Sequence, residues 1–242
     1  MSKVALAWEQ FRFERRVFWR NPSAAFFNFA LPLLFLILIA SAFGSDEDEL
    51  EILVPGIAGM SVLATTFTAL AFSLTVLREN GILKRIRGTP MPTWSYLTGL
   101  VGSAVLNAFL QVALIVLIGH FAYGVAWPED TPLLVAFTVL GVACFASLGV
   151  AFAHAIPNED AAPAYTNAVF LPLIFISGVF YSNDDLPAVL RGIAEALPLS
   201  HLIDGLSAAI VGGAADAGTA AAVVGAWALA GVFLAVRFFR WE

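Results

Sequence analysis

The segment LTGLVGSAVLNAFLQVALIVLIGHFAY, residues 97–123, contains no Asp, Glu, Lys or Arg. A helix rises about 1.5 Å per residue, so about 20 residues cross the roughly 30 Å hydrocarbon core of a bilayer. This segment exceeds that minimum and is uncharged throughout. It therefore predicts a membrane-spanning helix.

Five further segments share this length and this lack of charge, so the fold class predicted is an all-α membrane protein with six spans. The composition agrees, because 60% of the residues are hydrophobic and 12% are charged, whereas soluble domains have about half and about a quarter. A cleaved signal peptide is a second interpretation of the first segment, but its apolar run is longer than the about 7 to 15 residues of such peptides. The six predicted spans are residues 24–43, 52–77, 97–123, 132–156, 161–181 and 219–236.

Lysine and arginine are distributed unequally between the two sides of these spans. With six spans, eleven of the twelve basic residues share one side with both termini, and only Arg191 falls on the other. The side richer in basic residues is normally cytoplasmic. The predicted location is therefore the cytoplasmic membrane, with both termini in the cytoplasm. Acidic residues collect on the opposite side, where solvation is one explanation and attraction of a cation or substrate is another.

The first 22 residues differ from the rest of the chain. Residues 3–20 are rich in basic and aromatic side chains, and their apolar residues recur at a spacing typical of a helix. Asn21-Pro22 ends the segment. Such a composition predicts an amphipathic helix at the membrane interface. The predicted organisation is thus an interfacial helix over residues 1–22 and a six-span domain over residues 23–242.

The connection between spans two and three, RENGILKRIRGTPMP at residues 78–92, has its own turn and stop signals. Asn80-Gly81 permits a turn, while Gly88 and two prolines act as a stop, so a short helix is predicted between them. One interpretation is an anchor for lipid headgroups. The other is a rigid lever held by a cytosolic partner, which explains the turn and the stop as well as the charge. The apolar residues of this helix are Ile82, Leu83 and Ile86, and its basic residues are Lys84, Arg85 and Arg87.

The connection between spans five and six, residues 182–218, is the longest on the opposite side. Its leucines, isoleucines and valines recur at helical spacing in two sets, separated near Pro198. Each set makes a helix that is too short to cross the membrane. The two helices are expected to lie in the outer interface or to enter the membrane and return.

Two stretches carry a family resemblance. RENGILKRIRGTPMP looks like the cytoplasmic loop of the type-2 ABC exporter permeases, commonly E-x-x-G-T-L-x-x-L-x-x-T-P, a class that includes daunorubicin-resistance and polysaccharide-export permeases. ISGVFYSNDDLPAVLRGIAEALPLSHLIDGL, residues 176–206, resembles the same family's stretch after the fifth span. With the N-terminal helix and six spans, the resemblance covers nearly the whole chain in order. Ile82 and Lys84 depart from it, since the family often has Thr and an acidic residue there.

The resemblance implies a permease subunit that moves a hydrophobic or amphiphilic substrate, such as a drug, lipid or lipid-linked glycan, outward across the cytoplasmic membrane. It also implies a dimer with a second permease chain, identical or different, and a separate cytoplasmic ABC ATPase. The chain has no G-x-x-x-x-G-K-[ST] motif to hold nucleotide phosphates, so we expect no enzymatic activity or cofactor here, with ATP and Mg²⁺ on the partner. The residues that would couple to the ATPase are Arg78, Glu79, Gly81, Ile82, Leu83, Lys84, Arg85, Ile86 and Arg87.

Other polar residues in the spans leave alternatives open. Asn107 and Gln111 lie one helical turn apart and could line a substrate pathway or bond a neighbouring helix. Gly99 and Ser103 have a spacing that allows close helix approach, within this chain or to a second one. No nucleic acid or metal site is expected.

Two other functional classes fit the sequence less well than export. An ion-coupled secondary transporter or channel is the main alternative, but such proteins usually need ionisable groups within the membrane. The six predicted spans contain none of Asp, Glu, Lys or Arg. An intramembrane enzyme would need a catalytic pair at membrane depth, and no such pair is visible in the sequence.

Overall fold

The computed structural model describes residues 3–43, 47–89, 92–181, 186–212 and 216–238, and every regular element in these ranges is a helix. The all-helical prediction is confirmed. The helices are α1 (Lys3–Arg20), α2 (Pro22–Phe43), α3 (Glu47–Leu63), a π-helical turn (Ala64–Thr68), α4 (Ala69–Glu79), α5 (Ile82–Arg87), α6 (Thr93–Tyr123), α7 (Thr131–Phe152), α8 (Ala162–Ile176), α9 (Ala188–Ala194), α10 (Pro198–Ile210) and α11 (Ala217–Phe238).

Within the described ranges, five helical segments are long and apolar enough to cross a membrane, and they match five of the six predicted spans. The predicted span at residues 161–181 contains a shorter helix, α8, of 15 residues. At about 1.5 Å per residue α8 is about 22 Å long, which is less than the hydrocarbon core. The helix ends because Gly178 adopts a left-handed backbone (φ 72°) just beyond it. The sixth candidate span by composition is instead the bent pair α9 and α10.

The second span is helical throughout from Glu47 to Glu79, and the π turn lies between its two α-helical parts, α3 and α4. Within that turn the hydroxyls of Thr65 and Thr66 donate to backbone carbonyls one turn earlier, Ser61 O at 2.6 Å and Val62 O at 2.5 Å. The π turn also brings the backbone of Phe67 against α7, where a Cβ on Gly149 would lie 2.7 Å from the Phe67 carbonyl oxygen. A glycine in α7 therefore accommodates the bulge in α3–α4.

Helix α10 lies inside the bundle, which answers the question that the sequence left open. It packs against α3, α7 and α11, and α9 joins it at an angle of 79°. Helix α10 runs alongside α7. Near the end of α10, Ala209 O accepts a hydrogen bond from Asp130 N, just before α7, at 3.0 Å. Nearer the beginning of α10, Gly205 contacts the ring of Phe137 and Leu202 contacts Gly141. The beginning of α10 therefore lies deep in the bundle, and nine of its residues are buried.

Helix α1 packs along the beginning of α6 rather than standing apart from the bundle. The Ser95 hydroxyl donates to Lys3 O at 3.0 Å, and further along the pair a Cβ on Gly99 would lie 2.6 Å from Gln10 Cβ. The two helices run in the same direction, since later residues of α1 meet later residues of α6. The close approach predicted for Gly99 is thus made to α1 of the same chain.

The bundle has two ends of different chemistry. The basic end holds α5 and the connection between α7 and α8, and the acidic end holds the connections between α2 and α3 and between α6 and α7. Some residues of the predicted loops and tail lie outside the described ranges, namely Asp46, Pro90, Asp184, Asp185 and Arg240, and the side chain of Arg87 is also outside them.

Candidate functional site

The turn at the basic end is built around Gly81. The backbone N–H groups of Asn80 and Gly81 donate to Val76 O and Arg78 O, both at 3.0 Å, which closes α4. Gly81 then takes a left-handed backbone (φ 67°), a conformation that glycine adopts without the steric cost paid by other residues. Open space surrounds the position of a Cβ at Gly81. Backbone conformation, not packing, is therefore what requires glycine at the start of α5.

Helix α5 turns one apolar side chain into the body of the protein and leaves the other two partly exposed. Leu83 is 1% exposed, whereas Ile82 is 36% exposed and Ile86 is half-buried. Lys84 and Arg85 are exposed. The sequence predicted one apolar face formed by Ile82, Leu83 and Ile86, but the structure divides these residues. Leu83 holds α5 to the body of the protein, and Ile82 with the two basic residues forms its outward surface.

Arg78 directs its guanidinium into the bundle. Nη1 donates to Ala153 O at 3.0 Å, and Nη2 donates to Ile156 O. Ala153 follows the last residue of α7, and Ile156 lies three residues further along the α7–α8 connection. A single cation therefore satisfies two backbone acceptors of this connection. Thr75, one turn earlier in α4, is directed to the same Ala153 oxygen at 3.5 Å.

Glu79 and Asn80 extend this contact to the next residues of the α7–α8 connection. The Glu79 carboxylate accepts a hydrogen bond from the backbone N–H of Glu159. The Asn80 side-chain amide donates to the Glu159 carboxylate at 3.1 Å. We call the contact of Arg78, Glu79 and Asn80 with residues 153–159 the loop junction. It joins the two connections at the basic end into one structural unit.

Sequence reasoning missed the 153–159 side of the loop junction. The only local signal was Asn158, whose side chain accepts from Ala161 N at 2.8 Å and so caps the turn before α8. That signal marks the beginning of a helix but says nothing about contacts made 75 residues away. The hydrogen bonds from Arg78 to this segment could not be predicted from the sequence because the acceptors are backbone carbonyls, which every residue possesses.

Asn107 and Gln111 each bond a neighbouring helix. Asn107 accepts a hydrogen bond from the Arg15 guanidinium of α1. The Gln111 amide donates to the backbone oxygen and the side-chain oxygen of Asn28 in α2, both at 2.8 Å. Both side chains are almost fully buried. This arrangement is the helix-bonding alternative, and a role for Asn107 and Gln111 in a substrate pathway stays a prediction.

Charged groups of α1 are partly withdrawn from water along α6. Burial raises the pKa of Glu14, although a hydrogen bond from Gln10 at 2.7 Å opposes the shift. Burial also lowers the pKa of Arg15, whose guanidinium carbon lies 5.4 Å from the Phe18 ring centroid and 5.6 Å from that of Trp19. Cation–π contact of this kind stabilises a cation that has lost part of its hydration. Helix α1 is therefore held to the bundle by polar as well as apolar contacts.

A cavity of about 630 Å³ lies among α7, α8, α11 and the α9–α10 junction. Its walls are apolar apart from His154 at the basic end, and its volume falls within the range of about 300 to 1,000 Å³ that is typical of small-molecule sites. Helix α8 packs against α4, the π turn and α9, while α11 packs against α7 and α10. The cavity occupies the space between these two sets of helices.

Comparison with known proteins places this architecture in a family. Residues 5–211 match the profile of the ABC-2 type transporter family. The chain is 26% identical over 190 residues to the inner membrane transport permease YadH of Escherichia coli, an alignment that covers 74% of this chain and 72% of that protein. It is also 26% identical over 161 residues to the linearmycin resistance permease protein of Bacillus subtilis, covering 65% of this chain and only 41% of that longer protein.

A third relative is the daunorubicin resistance ABC transporter permease protein of Streptomyces coeruleorubidus, which is 26% identical over 186 residues, covering 71% of this chain and 62% of that protein. The family match includes α1, the loop junction, the cavity walls of α7 and α8, and the whole of α10. The chain is a membrane permease that belongs to the ABC-2 type transporter family.

Proposed function

We propose that this permease is the membrane subunit of an ATP-driven exporter of hydrophobic or amphiphilic molecules, and that α5 is where a separate cytoplasmic ABC ATPase binds. The observation that carries the proposal is the construction of α5. This helix is anchored by buried Leu83, aimed by the left-handed Gly81, and presents Ile82, Lys84 and Arg85 outward. A headgroup anchor needs only the charge, whereas a surface that transmits force also needs a rigid base.

The loop junction supports the same proposal because it gives α5 such a base. Arg78, Glu79 and Asn80 fix the end of α4 to residues 153–159. A push on α5 from the cytoplasm would therefore reach α4, α7 and α8 together. The names of two relatives, which are resistance permeases for linearmycin and daunorubicin, favour outward transport.

Orientation and assembly complete the proposal. The basic end is cytoplasmic by the positive-inside rule, which places the acidic end outside the cytoplasmic membrane. One bundle of this size encloses no wide pathway, so the working unit is a dimer of permease chains with two ATPase subunits. Mass measurement of the purified protein in nanodiscs tests this stoichiometry, and transport by a single permease chain would contradict it.

Co-purification tests the ATPase partner. Tagged permease isolated from its native membranes in mild detergent should retain an ABC ATPase, identified by mass spectrometry. The double variant Lys84→Glu, Arg85→Glu should lose about tenfold of this ATPase, because each reversal turns an attraction of up to about 1 kcal/mol into a repulsion. Arg16→Glu, an exposed basic residue of α1, is the matched control and should retain it. Equal retention by all three proteins would contradict the assignment of α5.

A further inference from the structure

The cavity bounded by α7, α8, α11 and the α9–α10 junction has a definite depth in the membrane. On α7 it is lined from Phe145 to Phe152, a distance of about 10 Å at about 1.5 Å per residue, and the lining continues through His154 and Ala155 in the turn that follows. Phe145 lies about 20 Å from the beginning of α7 at the acidic end, by the same rise per residue. The cavity therefore occupies the half of the membrane nearer the basic end.

The cavity is closed toward the acidic end. Leu197 and Pro198, at the junction of α9 and α10, form part of its lining, and α10 fills the bundle above them. The Trp227 indole N–H donates to Ala196 O at 3.0 Å, which fixes α11 to the same junction. The α9–α10 junction thus forms a roof over the cavity.

The cavity is open at the basic end and toward lipid. Ala155 lines it and is exposed at the basic end. Leu234 lines it on α11 and is 38% exposed. Access therefore runs from the leaflet at the basic end, between α8 and α11, and continues upward to the roof.

The chemistry of the walls restricts what can fill this space. Water needs two to four polar partners to occupy a buried site, and the walls above His154 consist of apolar side chains apart from the indole of Trp227, which is already bonded to Ala196. A hydrocarbon chain entering from the adjoining leaflet would contact apolar side chains on every wall. Burial of such a chain is favourable by about 0.8 kcal/mol for each methylene group removed from water.

The mouth of the cavity is part of the loop junction. Ala155 and His154 line the opening, and the carbonyls on either side of them, Ala153 O and Ile156 O, are the two that Arg78 binds. A movement of α5 that shifts the end of α4 would therefore reach the mouth of the cavity through the loop junction.

From these observations we infer that the cavity is the loading site for one hydrocarbon chain of the exported molecule, taken from the leaflet at the basic end and held beneath the α9–α10 roof. The inference rests on the proposed function and names its substrate class as amphiphiles with an acyl or similar chain. It also assigns the α7–α8 connection a role as the gate between α5 and this site.

Photolabelling tests the site without the ATPase. The probe is a palmitic acid analogue with a mid-chain diazirine, added to purified permease in phosphatidylcholine nanodiscs, with labelled peptides identified by mass spectrometry. We expect saturable labelling of the cavity-lining residues, which are those between Phe145 and Ala155 on one side and Trp227 and Leu234 on the other, and excess palmitate should displace it. Labelling that does not saturate, or that is confined to lipid-facing positions such as Leu229, which is 74% exposed, would show bilayer lipid only and would overturn the inference.

Variants of α8 provide the matched control. Leu173→Trp places bulk in the cavity, whereas Leu171→Trp places the same bulk on an exposed face of the same helix. Labelling should fall about tenfold in the first, since losing burial of about two methylene groups costs that much affinity, and should be unchanged in the second. Ala155→Phe narrows the mouth at an exposed position and should repeat the loss in a protein of normal thermal stability. Normal labelling in Ala155→Phe would overturn the inference.

A second arm separates this inference from the proposed function. In the complex with its ATPase, a non-hydrolysable ATP analogue should reduce cavity labelling relative to the nucleotide-free complex. Saturable labelling that ignores nucleotide would support the hydrocarbon site and overturn its coupling to α5. If nucleotide changes transport but the cavity is not labelled at all, the proposed exporter function is supported and the hydrocarbon site is overturned.

Discussion

Arg78 shows how far a single residue can depart from what its charge suggests. Counting basic residues places Arg78 on a basic surface, ready for lipid or a partner. The structure instead directs its guanidinium to Ala153 O and Ile156 O within the same chain. Lys84 and Arg85, only two turns away, remain exposed. Sequence reasoning identified the right segment but could not divide its residues between inward and outward roles.

This division predicts different effects of replacing the two kinds of arginine. Arg78→Lys keeps the charge but cannot reach both carbonyls, so it should lower the free energy of unfolding by about 1.5 to 3 kcal/mol, the value of a hydrogen bond to a charged group. Arg85→Lys should change it by less than about 0.5 kcal/mol, as expected for a surface substitution. Thermal unfolding in detergent measures both, and equal stability of the two variants would contradict the inward role of Arg78.

Gly56 is a second residue whose importance only the structure reveals. A Cβ at this position of α3 would lie 2.0 Å from the carbonyl oxygen of Val179, in the irregular segment after α8. Gly56→Ala should therefore destabilise the protein by about 1 to 3 kcal/mol through overpacking. Gly225→Ala in α11 is the control, because no atom lies near its Cβ, and it should be neutral or stabilising by up to about 1 kcal/mol. A normal unfolding temperature for Gly56→Ala would show that the 177–181 segment packs elsewhere.

Most elements were predictable from the sequence because apolar length and turn residues determine them locally. Helices α1, α2, α6, α7 and α11 correspond to segments recognised from hydrophobicity, and α5 from its Asn-Gly turn. The π turn and the short α8 were missed, since each depends on packing between distant segments. The depth of α10 was also not predictable, because its small neighbours Gly59 and Gly141 belong to other helices.

Helix α5 is the element on which the proposed coupling depends, and its two faces should respond differently to mutation. Leu83→Ala removes a buried side chain and should lower the free energy of unfolding by about 2 to 5 kcal/mol, with loss of ATPase as a consequence. Lys84→Glu with Arg85→Glu should leave the unfolding temperature unchanged and reduce ATPase binding alone. Parallel measurement of thermal unfolding and co-purification separates the two effects, and unchanged stability of Leu83→Ala would contradict its anchoring role.

At the scale of the whole molecule, the distribution of charge predicts the orientation of the bundle. Cys144 is the one cysteine of the chain and is fully buried, so Cys144→Ala provides a background for labelling. In intact cells, Ala126→Cys at the acidic end should react with an impermeant thiol reagent, and Gly88→Cys at the basic end should not. Both positions are exposed in the structure. Reaction of both, or of Gly88→Cys alone, would contradict the orientation.

The central claim is that an ABC ATPase binds the outward face of α5, and cross-linking tests it most directly. A photoreactive p-benzoylphenylalanine is placed at Ile82 on α5 or, as control, at Val189 on α9, which is 77% exposed. After irradiation of native membranes, Ile82 is predicted to give a covalent product that contains the permease and an ABC ATPase, and Val189 none. An ATPase product from Val189, or none from Ile82 in permease that still transports, would contradict the account.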